Sequence, residues 1–190
     1  MDLSKGPIPM VENKRLPEDG RAIVQNAFVV TDIHRAIQAW RSAYDLGPFF
    51  LLENAKLESR HRGTPVTLEL SIAMAQAGTV NVELIQQLND VPSCYRDVYP
   101  RGTGGFHHVC MIVKDFDQTV ARYQEQGFEL SLEADIGIYR FVYVDTYEAL
   151  GCHTELVEDA APIRQLYAQV RDAAQDWDGS DPVRPMYPSN

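Results

Sequence analysis

Four polar residues stand singly among apolar neighbours in runs that read as β-strands. They are Gln25 in Val24-Gln25-Asn26-Ala27-Phe28, Glu83 in Val82-Glu83-Leu84-Ile85, His108 in His107-His108-Val109-Cys110, and Glu155 in Thr154-Glu155-Leu156-Val157. Two carboxylates, an imidazole and an amide oxygen make a shell for a divalent cation, with zinc–ligand distances near ~2.0 to 2.2 Å and the remaining positions left for water or substrate. Such a cation lowers the pKa of a substrate proton next to a carbonyl, and a carboxylate that ordinarily titrates near ~4.3 can then remove it. Taken singly, each residue has a commoner explanation: strand glutamates are mostly solvated, and a lone histidine among apolar residues is mostly hydrogen-bonded structure. What joins the four is their placement at equivalent ends of two repeated units.

The repeat is visible as order rather than identity. Sliding Val30-Thr31-Asp32-Ile33 onto Val113-Lys114-Asp115-Phe116 sets an offset of 83, which places Gln25 on His108 and Trp40 on Tyr123. Sliding Asn81-Val82-Glu83-Leu84 onto His153-Thr154-Glu155-Leu156 sets an offset of 72, so the second unit is 11 residues shorter. The first unit reads as a strand at Ile23 to Val30 and a helix opened by Thr31 or Asp32. Ile33, Ile37 and Trp40 recur along that helix until Leu46-Gly47-Pro48 ends it. Strands at Phe49 to Glu53, Thr67 to Ala75 and Val80 to Gln86 follow. The second unit reads as a strand at Phe106 to Val113, a helix from Asp115 to Gln126 closed by Gly127, and strands at Glu129 to Glu133, Tyr139 to Asp145 and Cys152 to Glu158. The expected fold class is therefore α+β: two pseudo-symmetric βαβββ modules, 21–90 and 106–158, forming a curved, open, barrel-like mixed sheet within one domain at 21–158. A proline-bearing arm at 1–20 precedes it. Segment 159–190 reads as an amphipathic helix with Ile163, Leu166, Tyr167, Val170, Ala174 and Trp177 on one stripe, then an extended tail.

Strand alternation assigns faces to the remaining candidates. His107 points away from His108 with Val109 and Met111, and serves packing or support. Glu69 shares a face with Ser71 and Ala73; it is a candidate further acid in the cavity, although an exposed strand position is the commoner reading. Tyr139, Phe141 and Tyr143 alternate on one face and could line an apolar or aromatic substrate pocket, and core packing explains them equally well. His153 shares the Glu155 face and falls at the pocket rim. His34 and His61 read as surface residues.

Composition narrows the partners. The 190 residues carry 17 basic and 27 acidic side chains, a net charge of −10, which repels nucleic-acid phosphates and anionic bilayers. No apolar h-region opens the chain, and no uncharged apolar run nears the ~18 residues of a membrane span. Three cysteines, odd in number and widely spaced, suggest neither a disulfide framework nor a CxxC motif. A cytoplasmic protein acting on a small molecule, with neither nucleic acid nor membrane as partner, is expected.

The runs Val24 to Asp32, Val82 to Gln86, His107 to Asp115 and Gly151 to Glu158 resemble the vicinal-oxygen-chelate superfamily, most of all glyoxalase I and methylmalonyl-CoA epimerase. The resemblance spans Ala22 to Glu158. It implies paired βαβββ modules, a homodimer as the assembly, and metal ligands at Gln25, Glu83, His108 and Glu155. The order Gln, Glu, His, Glu is similar to the zinc form of glyoxalase I, so zinc is favoured over nickel, cobalt, manganese or magnesium. In that family a last-strand glutamate can leave the metal and take the substrate proton, which implies Glu155 as base, with Glu83 as the other catalytic carboxylate. The arginine and lysine set that holds glutathione has no counterpart here, and the segment after Gly47 does not match the second catalytic glutamate of the epimerase. Substrate identity is thus not inherited. The expected activity is that of a metal-dependent isomerase, epimerase or lyase working through an enolate or enediolate. Extradiol oxygen insertion ranks lower, because it needs two histidines and one carboxylate around iron and Gln25 holds one of the histidine positions. A non-catalytic binding protein of the same fold is the remaining alternative, against which the complete ligand quartet argues.

Overall fold

The computed structural model describes residues 22–187, so the arm expected at 1–20 and the last three residues of the tail lie outside the described residues. The first module runs β1 (Gln25–Val29), α1 (Ile33–Tyr44), β2 (Phe49–His61), β3 (Thr64–Ala77) and β4 (Val80–Gln87). A short helix α2 (Cys94–Val98) leads to the second: β5 (Gly105–Val113), α3 (Phe116–Glu125), β6 (Leu130–Asp135), β7 (Arg140–Val144), a single turn α4 (Tyr147–Leu150) and β8 (His153–Glu158). Helix α5 (Ala161–Ala174) and a three-residue strand β9 (Val183–Pro185) complete the chain.

All strands belong to one mixed sheet in the order β3-β4-β1-β5-β8-β7-β6-β2-β9, with β2 also paired to β3. The expected barrel-like sheet is therefore observed. The modules join by the antiparallel pair β1–β5, and each keeps its own parallel pair, β1 with β4 and β5 with β8. On the far side, β2 meets β6 at only two residue pairs, Arg60↔Glu133 and His61↔Leu132. Arg62, in the β2–β3 turn, reinforces this contact by reaching Asp145 at 2.6 Å, Asp97 at 3.1 Å and Glu129 at 3.2 Å. On that edge β2 is next paired only at its start, where β9 joins Phe49 to Leu51, and the gap between the two pairings leads into the interior.

Alternation along the strands separates two environments. Val82 and Leu84 of β4 turn outward to pack with Ile33 and Ile37 of α1, and Leu156 of β8 packs with Phe116 of α3. Asp32 caps α1 by accepting the N–H of Arg35 at 2.9 Å, which settles the choice between Thr31 and Asp32. Asn81, Glu83, Ile85, His153, Glu155 and Val157 consequently face inward.

Several boundaries differ from expectation. β2 and β3 span 13 and 14 residues, well beyond Phe49 to Glu53 and Thr67 to Ala75. The outer half of β2 is exposed on one side and rich in charge, which reads as loop in the sequence, and β3 begins at Thr64-Pro65, which reads as part of a turn. Arg62 and Gly63, both at positive φ, make the tight turn between them. α2, α4 and β9 were not expected. α5 ends at Ala174, so Trp177 is not on the helical stripe; its ring lies instead where a Cβ on Gly47 would stand, within 2.6 Å. His61 is not a surface residue, since its side chain is 14% exposed and meets Asp97 at 3.0 Å. Among the described residues no helix is long and apolar enough to cross a membrane.

The seam between β1 and β5 depends on Gly104, where an added Cβ would collide with the carbonyl oxygen of Val29. Gly104→Ala must part the two strands that carry Gln25 and His108. A loss of about 2 kcal/mol or more is expected from such backbone overpacking, read as a lower urea midpoint with unchanged slope.

Candidate metal centre

The site is built where four strands run side by side in the order β4-β1-β5-β8. Ladder register places Ala27 between Glu83 and His108, and Cys110 between Gln25 and Glu155. The two rows are related by the repeat: Gln25 matches His108, Glu83 matches Glu155, and Ala27 matches Cys110. Because Ala27 and Cys110 are small, the longer side chains on either side can lean over them toward the same point. Ligand atoms of Glu83, His108 and Glu155 lie within 4.8 Å of one another. His108 Nε2 is 3.3 Å from Glu155 and 3.5 Å from Glu83. Gln25 lines the same cavity as the two glutamates, and its amide NH2 donates to Asn81 Oδ1 at 3.1 Å, so the oxygen is the end left for a cation.

Burial makes this cluster electrostatically demanding. Gln25, His108 and Glu155 are 2%, 0% and 8% exposed. Burial pushes the Glu83 carboxyl up; the hydrogen-bonding proximity of His108 opposes this, and the charge of Glu155 adds to it. Burial alone would lower the His108 pKa, but the two glutamates outweigh it and hold the imidazole at about 9. Even so, neither carboxylate lies in line with an N–H at Nε2, and that nitrogen is buried with no hydrogen-bond partner. Close ion-pair distances without hydrogen-bond alignment are what a nitrogen aimed at a shared cation would show, so the donor set fits a divalent ion.

The ring behind His108 fixes which nitrogen faces the carboxylates. Between β1 and β5 the register shifts, with Ala27 opposite His108 but Phe28 opposite Phe106, so His107 is the extra residue of a β-bulge. The bulge breaks strict alternation, and His107 does not turn away from His108 as alternation predicts: their Nδ1 atoms are 3.0 Å apart. His107 Nε2 lies 3.1 Å from the carbonyl oxygen of Cys94, which can only accept, so that nitrogen carries the proton. Burial, with the His108 and His153 charges adding, holds His107 well below the ordinary histidine range and therefore neutral. Its Nδ1 is then an acceptor, His108 Nδ1–H donates to it, and His108 Nε2 is directed at Glu83 and Glu155.

The other sequence candidates divide. Tyr139 and Phe141 line the cavity above the carboxylates. Tyr143 lies below them, 2% exposed and edge-on to His108 at 4.7 Å between ring centres, with its hydroxyl 3.2 Å from that of Tyr95. His153 is not at the rim: it is 1% exposed, stacked on His107 at 4.8 Å and held by Ser131 Oγ and the Val144 carbonyl. Leu70, Ile72 and Met74 take the inward positions of β3, so Glu69 faces the other side and meets Lys56 at 3.8 Å. Asn81, Cys94 and Tyr95 support the site without having been singled out for it, whereas the supporting part expected of His107 is observed on a different side of the strand. Of the first three, only Asn81 carried a signal, as the same-face neighbour two residues before Glu83.

The family described as the glyoxalase/bleomycin resistance protein/dioxygenase superfamily matches residues 24–141, more than half of the chain. The chain belongs to that superfamily. The match includes Gln25, Glu83 and His108 and stops before Glu155, which the internal repeat supplies. No curated protein matches the chain. Among solved structures, a hypothetical protein from Bacillus halodurans C-125 is 18% identical with a TM-score of 0.52, covering 73% of this chain and 94% of its own. Methylmalonyl-CoA epimerase from Mycobacterium tuberculosis is 17% identical with a TM-score of 0.50, covering 80% of this chain and 98% of its own. A Streptomyces coelicolor methylmalonyl-CoA epimerase variant in complex with 2-nitronate-propionyl-CoA is 15% identical with a TM-score of 0.50, covering 74% and 95%. These likenesses establish a shared fold.

Since the folded-state pKa of His108 stands at about 9, above its ordinary value of 6.5, the stability it contributes is full below about 6.5 and is lost as pH rises through about 9. In metal-free protein, urea unfolding between those pH values should show a decline in stability that is shallower in His108→Gln. Parallel slopes in the two proteins would contradict the ion-pair arrangement.

Proposed function

We propose that the chain is a divalent-metal-dependent isomerase, epimerase or lyase that removes a proton next to a carbonyl of a small, apolar or aromatic substrate. The observation that carries this reading is the buried, partnerless His108 Nε2 between two carboxylates at the floor of a largely apolar cavity. Gln25, Glu83, His108 and Glu155 would hold the ion, with zinc favoured and nickel, cobalt, manganese or magnesium the other candidates. A cation bound there supplies Lewis acidity, stabilising the negative charge of an enolate or enediolate.

Each side chain has a distinct part. His108, fixed in orientation by His107, is the neutral donor. Glu83 and Gln25 come from the first module and complete the shell, with Gln25 adding an uncharged oxygen that keeps the net charge of the ligand set at −2. Glu155 is the base: it takes the substrate proton on its carboxylate and returns it to the same or the neighbouring carbon. Apolar walls that include Tyr139 and Phe141 exclude water, which strengthens the electrostatic attraction at the floor. Among the described residues only one imidazole, that of His108, lies against Glu83 and Glu155, since His107 and His153 are engaged behind it, and this disfavours the two-histidine shell of extradiol oxygen insertion.

The decisive measurement is elemental analysis of protein purified without chelator, combined with deuterium wash-in on α-hydroxy carbonyls, acyl-CoA thioesters and aromatic ketones. Wild type should carry about one divalent ion per chain and exchange carbon-bound hydrogen in at least one class. Glu155→Gln should retain the ion and lose exchange by about 10²-fold or more. Equal exchange in the variant removes Glu155 as base, and metal-free wild type with tight small-molecule binding would favour the non-catalytic alternative.

Metal affinity should also depend on pH. The ion must displace the proton held by His108 with a pKa of about 9, so affinity rises between pH 7 and about 9 and levels off above it. Competition with a chromogenic chelator across that range, corrected for the chelator's own protonation, reads the effect.

A further inference from the structure

We infer that the C-terminal segment after the second module is a specificity wall, which restricts the site to compact substrates bearing one alkyl or aryl group and no phosphate. The inference rests on the proposed function for what occupies the cavity floor. It concerns residues beyond both the family match at 24–141 and the last module strand, which ends at Glu158.

Two pieces of that segment reach the cavity. From α5 come Ile163, Leu166 and Tyr167, and from just after β9 come Met186 and Tyr187. The second piece is firmly seated. β9 adds to β2 in parallel, Phe49 N–H donates to the Pro182 carbonyl at 2.9 Å, and Met186 N–H donates to the Leu51 carbonyl at 2.9 Å. Met186 is 4% exposed within the core cluster that contains Phe50, Met74 and Val157, whereas Tyr187 is 49% exposed, as expected of a residue at the mouth. A two-module sheet alone would leave this side of the gap between β2 and β7 uncovered.

The resulting space has a volume of about 330 Å³, at the low end of small-molecule sites. Among the described residues its charged lining consists of Glu83 and Glu155 at the floor and Lys56. Lys56 has a side chain 72% exposed and lies 3.8 Å from Glu69. Among the described residues, a diphosphate or a peptide carboxylate inside this space would meet no arginine and a single, already paired, solvated lysine. A phenyl or branched alkyl group would instead meet Ile72, Met74, Phe141, Leu166 and Met186.

Hydroxamates test this directly, because two vicinal oxygens engage a cation while the substituent explores the walls. Isothermal titration of the zinc-loaded full-length chain with acetohydroxamate, benzohydroxamate and 2-naphthohydroxamate should give benzohydroxamate at least about tenfold tighter than acetohydroxamate, from burial of the ring. The naphthyl compound should gain nothing further in wild type. Tyr187→Ala, at a half-exposed position that leaves folding intact, and separately Met186→Ala, should tighten 2-naphthohydroxamate about tenfold while acetohydroxamate changes less than twofold. Acetohydroxamate binding with an unaltered size ranking in both variants would overturn the wall and leave the proposed function standing, as would displacement of benzohydroxamate by CoA. Failure of wild type to hold zinc and acetohydroxamate would overturn the proposed function and this inference together.

Discussion

Burying two carboxylates beside one imidazole costs desolvation energy that nothing within the trio fully offsets. Glu83 is driven toward its neutral form, His108 is held charged by its neighbours, and the nitrogen between them has no aligned partner. A sheet that keeps such a cluster must be rigid enough to prevent the groups from turning to solvent. Much of the molecule is explained by that requirement: the β4-β1-β5-β8 strands are flanked by α1 on one module and α3 on the other, and the inward face beneath the cluster is filled by Tyr95, His107, Tyr143 and His153.

Space is as important as charge. Ala27 and Cys110 occupy corresponding positions in the two rows of the site, and both are fully buried. Larger residues there would push Glu83, His108 and Glu155 apart, because each leans across one of them. The bulge at His107 is the second device. By inserting a residue opposite Ala27, it brings a neutral ring behind His108 and ties that ring to the Cys94 carbonyl of the linker helix. Orientation of the site thus depends on α2, an element outside both repeats.

The repeat makes a half-closed barrel with a gap, and the chain treats the two ends of that gap differently. At one end β2 is lengthened until His61 meets Leu132, and Arg62 gathers three carboxylates around the turn. At the other end α5 and β9 cover the interior with apolar side chains. Non-repeated additions therefore shape the cavity, while repeated elements supply its polar floor. This division agrees with the general behaviour of superfamilies in which chemistry varies with what is grafted on a common fold.

The pattern of residues was sufficient for the class of fold and for the quartet at its centre. Alternation and helical spacing are local signals, and Gln25, Glu83, His108 and Glu155 could be paired because the repeat relates them at offsets of 83 and 72. Alternation also placed Tyr139 and Phe141 on the cavity side. It failed where tertiary context overrides period: the bulge reversed His107, and the depth of the barrel put His153 below the site instead of at its rim; Tyr143 took the core role left open for it, and the inward face of β3 went to Leu70 and Ile72, leaving Glu69 outside as its commoner reading has it. The charged outer half of β2 could not be read as strand, since what orders it is pairing with β3 and, at its end, with β6. Nor could three residues at Val183–Pro185 announce a strand, because so short a segment is held only by the edge of β2 that it meets. Local sequence decides which residues can be strand, helix or ligand; the depth, handedness and closure of the cavity arise from long-range pairing, which no local pattern encodes.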